Sequence, residues 1–178
     1  MRKKKILAIS GSTRTASVNL QILRFIEKLY QAEADFMIYN EIDSLPHFNP
    51  DLDKEPIPET VTLFRKLIED ADGVLICTPE YVFSLPGSLK NAIEWCVSTT
   101  LFTDKPVALI TASSSGRIAH ESLQLVMRTV GAKLNDKTAL LISAPKTKVS
   151  VEGEVTDEAT LAAISELMQA FLQLLDEN

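Results

Sequence analysis

Residues 4–10, KKILAIS, form a short apolar run with no strict polar alternation, the pattern of a strand covered on both faces. Such strands belong to parallel sheets, whose neighbours are joined by crossovers that are usually helices. The chain repeats this arrangement. Further strands are expected at 34–40 (ADFMIYN), 73–77 (GVLIC), from 106 to 111 (PVALIT) and at 138–143. The segments between them carry apolar residues at helical spacing. Leu20, Leu23, Ile26 and Leu29 make the first such stripe, with Ser17 placed to cap it. Val61, Phe64, Leu67 and Ile68 mark a helix over 59–71, a third helix covers about 89–98, and Ile118, Leu123, Val126 and Val130 mark a fourth. The last stripe is Leu161, Ile164, Met168, Phe171 and Leu175, with Thr156 as its expected cap and Asp157 and Glu158 suited to the positive end of the dipole.

Five strands alternating with five helices, joined by right-handed crossovers, predict an α/β three-layer sandwich around a five-stranded parallel sheet. The expected topology is flavodoxin-like, order 2-1-3-4-5, with a ligand beyond the C-terminal ends of strands 1, 3 and 4. At 178 residues and 46% hydrophobic, the chain is expected to form a single domain over 1–178.

Charge and composition exclude several functions. Eighteen basic against 24 acidic residues give a net charge of −6, the wrong sign for a protein that neutralises nucleic-acid phosphates. No run approaches the ~20 apolar residues of a membrane span, and the basic MRKKK start lacks the apolar stretch of an export signal. The expected location is cytoplasmic. Cys77 and Cys96 are the only cysteines and read as buried reduced thiols. His47 and His120 are far apart in sequence, so no metal site is expected. A low-molecular-weight phosphatase needs an arginine six residues after its cysteine, where this chain has Phe83 and Phe102. A receiver domain needs acidic residues where Gly11, Ser12 and Cys77 stand.

Three loops at the strand ends carry the candidate chemistry. GSTRTASVN (11–19) has neither the lysine of a Walker A loop nor the three glycines of a dinucleotide fingerprint. Its hydroxyls, Arg14 and the free amides of a helix start suit a phosphate; capping alone would explain Ser17 equally well. In the second loop, TPEYVFSLPGS, Tyr81, Val82, Phe83 and Leu85 put apolar groups where a connection is normally polar, with Phe83 or Leu85 able to face the core instead. The third loop, ASSSGR, permits close backbone approach through Gly116. A phosphate at one end and a planar apolar body between the other two loops make the shape of a flavin mononucleotide (FMN) site.

Two stretches resemble the NADPH-dependent FMN reductase family, which includes quinone reductases, azoreductases and chromate-reducing flavoproteins. GSTRTASVN matches its phosphate loop, and TPEYVFSLPGSLKNAIEW matches its longer second motif. The resemblance covers nearly the whole chain. It implies that Ser12, Arg14, Ser17, Val18 and Asn19 bind the FMN phosphate and that Pro79, Glu80, Tyr81 and Val82 line the ribityl chain and ring. Ser113, Ser114, Ser115 and Gly116 would approach the ring from its other edge. It also implies a homodimer or homotetramer built through the helices after strands 3 and 4. Two positions depart from the family: Val82 stands where asparagine is usual, replacing a polar contact with an apolar one, and the SSSGR loop lacks paired glycines, which narrows the space for nicotinamide.

The activity so implied is hydride transfer from NADPH or NADH through FMN to a small-molecule acceptor, whether quinone, azo, nitro, flavin or metal ion, by a ping-pong mechanism. No side chain is needed as nucleophile or general acid. Backbone amides at Tyr81 and Ser114 are candidates to stabilise charge on the reduced ring. His120 and Arg117 are candidates for nicotinamide or nucleotide contacts, or else surface residues. The alternative reading is an FMN-binding electron carrier or sensor that does not turn over NAD(P)H.

Overall fold

A computed structural model describes residues 2–177. Its strands are β1 (Lys4–Ser10), β2 (Ala34–Tyr39), β3 (Gly73–Thr78), β4 (Val107–Ser113) and β5 (Ala139–Ser143). They form one parallel sheet in the order β2-β1-β3-β4-β5, as expected. The chain runs from β1 out to β2 and then returns to lay β3 on the other side of β1. That reversal opens a crevice beyond the C-terminal strand ends.

The lack of polar alternation has a direct structural cause. Leu7, Ile9, Val74, Ile76, Val107 and Leu109 point to one face of the sheet, where α2 (Glu59–Asp70), α3 (Gly87–Glu94) and α4 (Arg117–Thr129) cover them. Their strand neighbours Ile6, Ala8, Leu75, Cys77, Ala108 and Ile110 point to the other, under α1 (Val18–Tyr30) and α5 (Glu158–Asp176). Both sets are removed from water, so both faces call for apolar side chains, and the buried polar residues of these strands, Ser10, Thr78 and Thr111, stand toward the C-terminal ends.

Several expected boundaries move. Leu29 lies beyond the buried stripe of α1 and is half exposed, whereas Leu20, Leu23 and Ile26 are buried. The cap of α5 is Asp157, whose carboxylate accepts from the Thr160 amide at 2.9 Å and the Thr160 hydroxyl at 2.6 Å. Thr156 instead donates its hydroxyl to the Lys148 carbonyl at 3.3 Å. Helix α3 stops at Glu94 rather than near 98. The Trp95 carbonyl, which a continuing helix would give to residue 99, accepts from Arg65 Nε at 2.8 Å. Strand β4 runs on to Ser113, and β5 begins at Ala139 because Thr138 closes a capping box with Asn135.

The LKNAIEW half of the second motif is a clamp. Asn91 accepts from the Phe48 amide at 2.7 Å and donates to the Pro46 carbonyl at 3.0 Å. Trp95, fully buried, donates its indole N–H to the same carbonyl at 2.7 Å and meets Phe48 edge-on, ring centroids 5.1 Å apart. Arg65 also bonds Asp53 at 2.7 Å, with both side chains largely buried. The irregular connection between β2 and α2 is thereby fastened to α3.

Candidate functional site

Beyond the C-terminal ends of the sheet lies a cavity of about 410 Å³, walled by four segments of chain. Its volume falls in the range of small-molecule sites.

The first wall is the β1–α1 loop. Gly11 opens it because a Cβ there would stand 2.3 Å from the Thr78 hydroxyl, so β1 and β3 could not close together with any other residue. The Gly11 amide donates to the Cys77 carbonyl at 2.8 Å. Ser10 and Ser12 then hold the turn: the Ser10 hydroxyl donates to the Ser12 carbonyl at 3.2 Å, and the Ser12 hydroxyl accepts from the Arg14 amide at 3.4 Å. Ser17 occupies the capping position of α1, yet its hydroxyl makes no cap hydrogen bond, and the first turn carries no acidic residue. The Arg14 guanidinium has no carboxylate partner among the described residues. Asn19 is buried beneath the loop and accepts the Cys77 thiol at 3.4 Å.

The second wall is Pro79, Glu80 and Tyr81. Tyr81 and Ser84 exchange backbone hydrogen bonds of 3.0 Å in both directions. Val82 and Phe83 between them have φ of 51° and 54°, a two-residue hairpin of the mirror-image type I turn. Asparagine tolerates this left-handed backbone far better than a β-branched residue does, so the asparagine usual here has a backbone reason. Val82 is 95% exposed and Phe83 73%, while Leu85 turns into the core. The Tyr81 amide is taken by Ser84 within this hairpin. That corrects its expected role as a donor to the ring and leaves the Ser114 amide as the candidate.

Ala112, Ser113 and Ser114 form the third wall. The last is the segment after β5, Ala144 to Thr147, with Lys146 exposed on it. A short hairpin beyond this segment returns to α1: Gly153 packs on Gln21, and Lys28 pairs with Glu154 at 2.6 Å.

Ten of the thirteen residues singled out from sequence therefore line one cavity: Ser12, Arg14, Ser17, Val18, Asn19, Pro79, Glu80, Tyr81, Ser113 and Ser114. Val82, Ser115 and Gly116 lie outside its lining. Ala16, Ala112 and residues 144–147 line it without having been anticipated. Ala16 sits inside the quoted first motif, but nothing in APKT marks residues 144–147.

The titratable groups nearby are quiet. Burial drives the Cys77 thiol far above its ordinary range and pushes Cys96 up to about 12, so both are inert protonated thiols. His120 is half-buried, its Nδ1 3.0 Å from the Thr111 hydroxyl, and burial lowers its pKa. It packs against β4 outside the cavity lining. Arg117 is exposed and pairs with Glu121 at 3.3 Å. Among the described residues no cluster of three His, Cys, Asp or Glu could hold a metal, and no helix is long and apolar enough to cross a membrane.

The donor set fits an organic phosphate: one guanidinium without a carboxylate partner, an uncommitted Ser17 hydroxyl, and the amides of a helix whose first turn holds no competing carboxylate. Together with the switch-point crevice, this defines a flavodoxin-like nucleotide-binding fold. The NADPH-dependent FMN reductase profile matches residues 4–147, and the chain belongs to that family, as an oxidoreductase. It is 34% identical over 173 residues to a subunit of an NADH:(hydroxy)cinnamate reductase from Vibrio ruber, covering 93% of this chain and 84% of that one. A quinone reductase from Escherichia coli is 32% identical over 179 residues, covering 95% and 94%. FerB, a flavoenzyme NAD(P)H:(acceptor) oxidoreductase from Paracoccus denitrificans, superposes with a TM-score of 0.82 at 29% identity, covering 98% of both chains.

Proposed function

We propose that the chain forms one domain that holds FMN in the four-walled cavity and uses it to carry electrons from NAD(P)H to a quinone-like acceptor. The observation that carries this reading is the convergence of ten motif residues on one cavity at the topological switch point.

When bound, FMN would supply the redox chemistry, two-electron transfer between NAD(P)H and the acceptor. The chain's own residues bind and orient. Arg14, Ser12, Ser17 and the first amides of α1 hold the phosphate, and Lys146 adds a second cation from the opposite wall. Pro79, Glu80 and Tyr81 on one loop and Ser113 and Ser114 on the next would hold the ring, with Val82, Ser115 and Gly116 on the same loops outside the lining. The reading includes a ping-pong sequence, in which NAD(P)H and acceptor take turns at the same face of the ring. No side chain in the cavity is placed as a nucleophile, so specificity rests on shape, and flat apolar acceptors fit best.

The same reading includes a homodimer or homotetramer and a cytoplasmic setting. Ile118 and Leu125 on α4 and Val97 after α3 are exposed, in the two regions through which the family associates. Sedimentation of the purified protein reads the oligomer directly. The two free buried thiols suit a reducing compartment.

An anaerobic visible spectrum of FMN-loaded protein before and after NADPH tests the function. Bleaching of the flavin bands, reversed by adding a quinone, is the expected result. A flavin that stays oxidised overturns turnover and leaves an electron carrier or sensor.

A further inference from the structure

Helix α4 starts without a cap of its own. Its N-cap is Gly116 at φ +82°, which has no side chain to offer, and its first turn contains no acidic residue. A side chain cannot be substituted there, because a Cβ would stand 2.9 Å from Leu141 and in a left-handed backbone. Two of the amides at this helix end are nevertheless satisfied, from a different loop. Glu80 Oε1 accepts from the Gly116 amide at 3.2 Å, and Oε2 accepts from the Ala119 amide at 2.9 Å. One carboxylate thus uses both oxygens to cap a helix whose N-cap lies 36 residues later in sequence.

The two anchorages of this bridge are rigid. Glu80 sits between buried Pro79 and the hydrogen-bonded hairpin of Tyr81 and Ser84. Gly116 follows directly on the loop that leaves β4. The bridge therefore ties the second wall of the cavity to the start of α4, which follows closely on the third wall, Ala112 to Ser114. A carboxylate suits the place doubly: it offers two acceptors for two amides, and its charge is favourable at a helix N-terminus.

We propose that Glu80 is a positioning residue that locks the β3 and β4 loops at a fixed separation and so sets the width of the slot for the flavin ring. The proposal rests on the FMN reading above. It differs from a lining role for Glu80 in one respect: the carboxylate is committed to backbone amides and does not contact the ligand.

Three variants, Glu80→Gln, Glu80→Asp and Glu80→Ala, separate these roles. Glutamine keeps the length but has one acceptor oxygen, whereas aspartate keeps the charge but is a methylene shorter. In the protein without flavin, amide exchange by NMR at Gly116 and Ala119 should speed up in the order wild type, Gln, Ala, with Asp resembling Ala. FMN affinity, measured by fluorescence quenching well below the melting temperature, should fall roughly tenfold in the alanine variant, the scale of losing a helix cap. Trp95→Ala, destabilised elsewhere, is the control for a merely structural effect and should bind FMN as wild type does. Unchanged exchange at both amides overturns the bridge. Faster exchange with unchanged FMN affinity overturns its control of the slot. Wild-type protein that takes up no FMN removes the functional reading itself, and the slot with it, while the exchange data still report on the bridge.

Discussion

Residues 79–84 and 89–95 belong to one unbroken motif, yet they behave as opposites. The first half lines the cavity through Pro79, Glu80 and Tyr81, is exposed from Tyr81 to Ser84, and carries two residues at positive φ. The second half is buried, and its polar atoms at Asn91 and Trp95 are spent on holding residues 46–48. A contiguous sequence signature can thus combine a loop that lines the cavity with a fastening outside its lining. The two halves should respond to mutation in different observables, stability for one and binding for the other.

The sharpest test of that division is Trp95→Ala. Loss of a fully buried indole and its hydrogen bond should cost about 3–5 kcal/mol of stability, read by chemical denaturation, with the FMN affinity of the folded protein unchanged. A parallel drop in affinity would break the division.

Asp53→Asn should give the next largest loss, because Asp53 fastens the same clamp through Arg65. The Ser98 hydroxyl and then Arg65 hold the Asp53 carboxyl below the usual carboxylate range, about 4. A folded pKa below the unfolded one means the contribution is complete above about pH 4 and disappears as pH falls through the lower folded value. The melting-temperature gap between wild type and variant should therefore be constant at neutral pH and close in acid. A gap that persists at low pH would show that the carboxylate's charge is not the cause.

On the cavity side, replacing Arg14 and Ser17 together with alanine should weaken FMN binding roughly a hundredfold, the scale of two hydrogen bonds to a charged group, with little change in melting temperature. Equilibrium titration of the apo protein checks this, and wild-type affinity would remove the phosphate assignment. The smallest effect belongs to Val82→Asn. Relieving a β-branched residue at φ 51° should add about 1 kcal/mol of stability, measured as a higher melting temperature, and leave the distant clamp untouched.

How much of this was legible in the sequence follows from where each constraint lives. The strands were readable because both faces of β1, β3 and β4 are covered, which forces continuous apolar runs. The β1–α1 loop was readable because its hydroxyls and Arg14 are chemically unusual for a connection. Residues 144–147 were not, since a turn of Ala, Pro, Lys and Thr is ordinary. They reach the cavity because β5 ends beside β4, where the Ala144 amide donates to the Ser113 carbonyl at 3.0 Å, a contact between distant parts of the chain. Glu80 lines the cavity, but its bond partners were hidden, because the missing cap of α4 shows only when the two loops are seen together. The cap of α5 was misplaced by one residue, where Thr156 and Asp157 are equally good candidates on paper and geometry alone decides.

The hairpin that leans on α1 also has a temporal consequence. Gln21 donates to the Val151 carbonyl across 130 positions of the chain. During synthesis from the N-terminus, the loop with Arg14 leaves the ribosome long before the segment that completes the enclosure around it. A nascent chain holding only the first three walls offers its flavin an open ledge. The fourth wall of the cavity therefore exists only once the chain past Thr147 has been made.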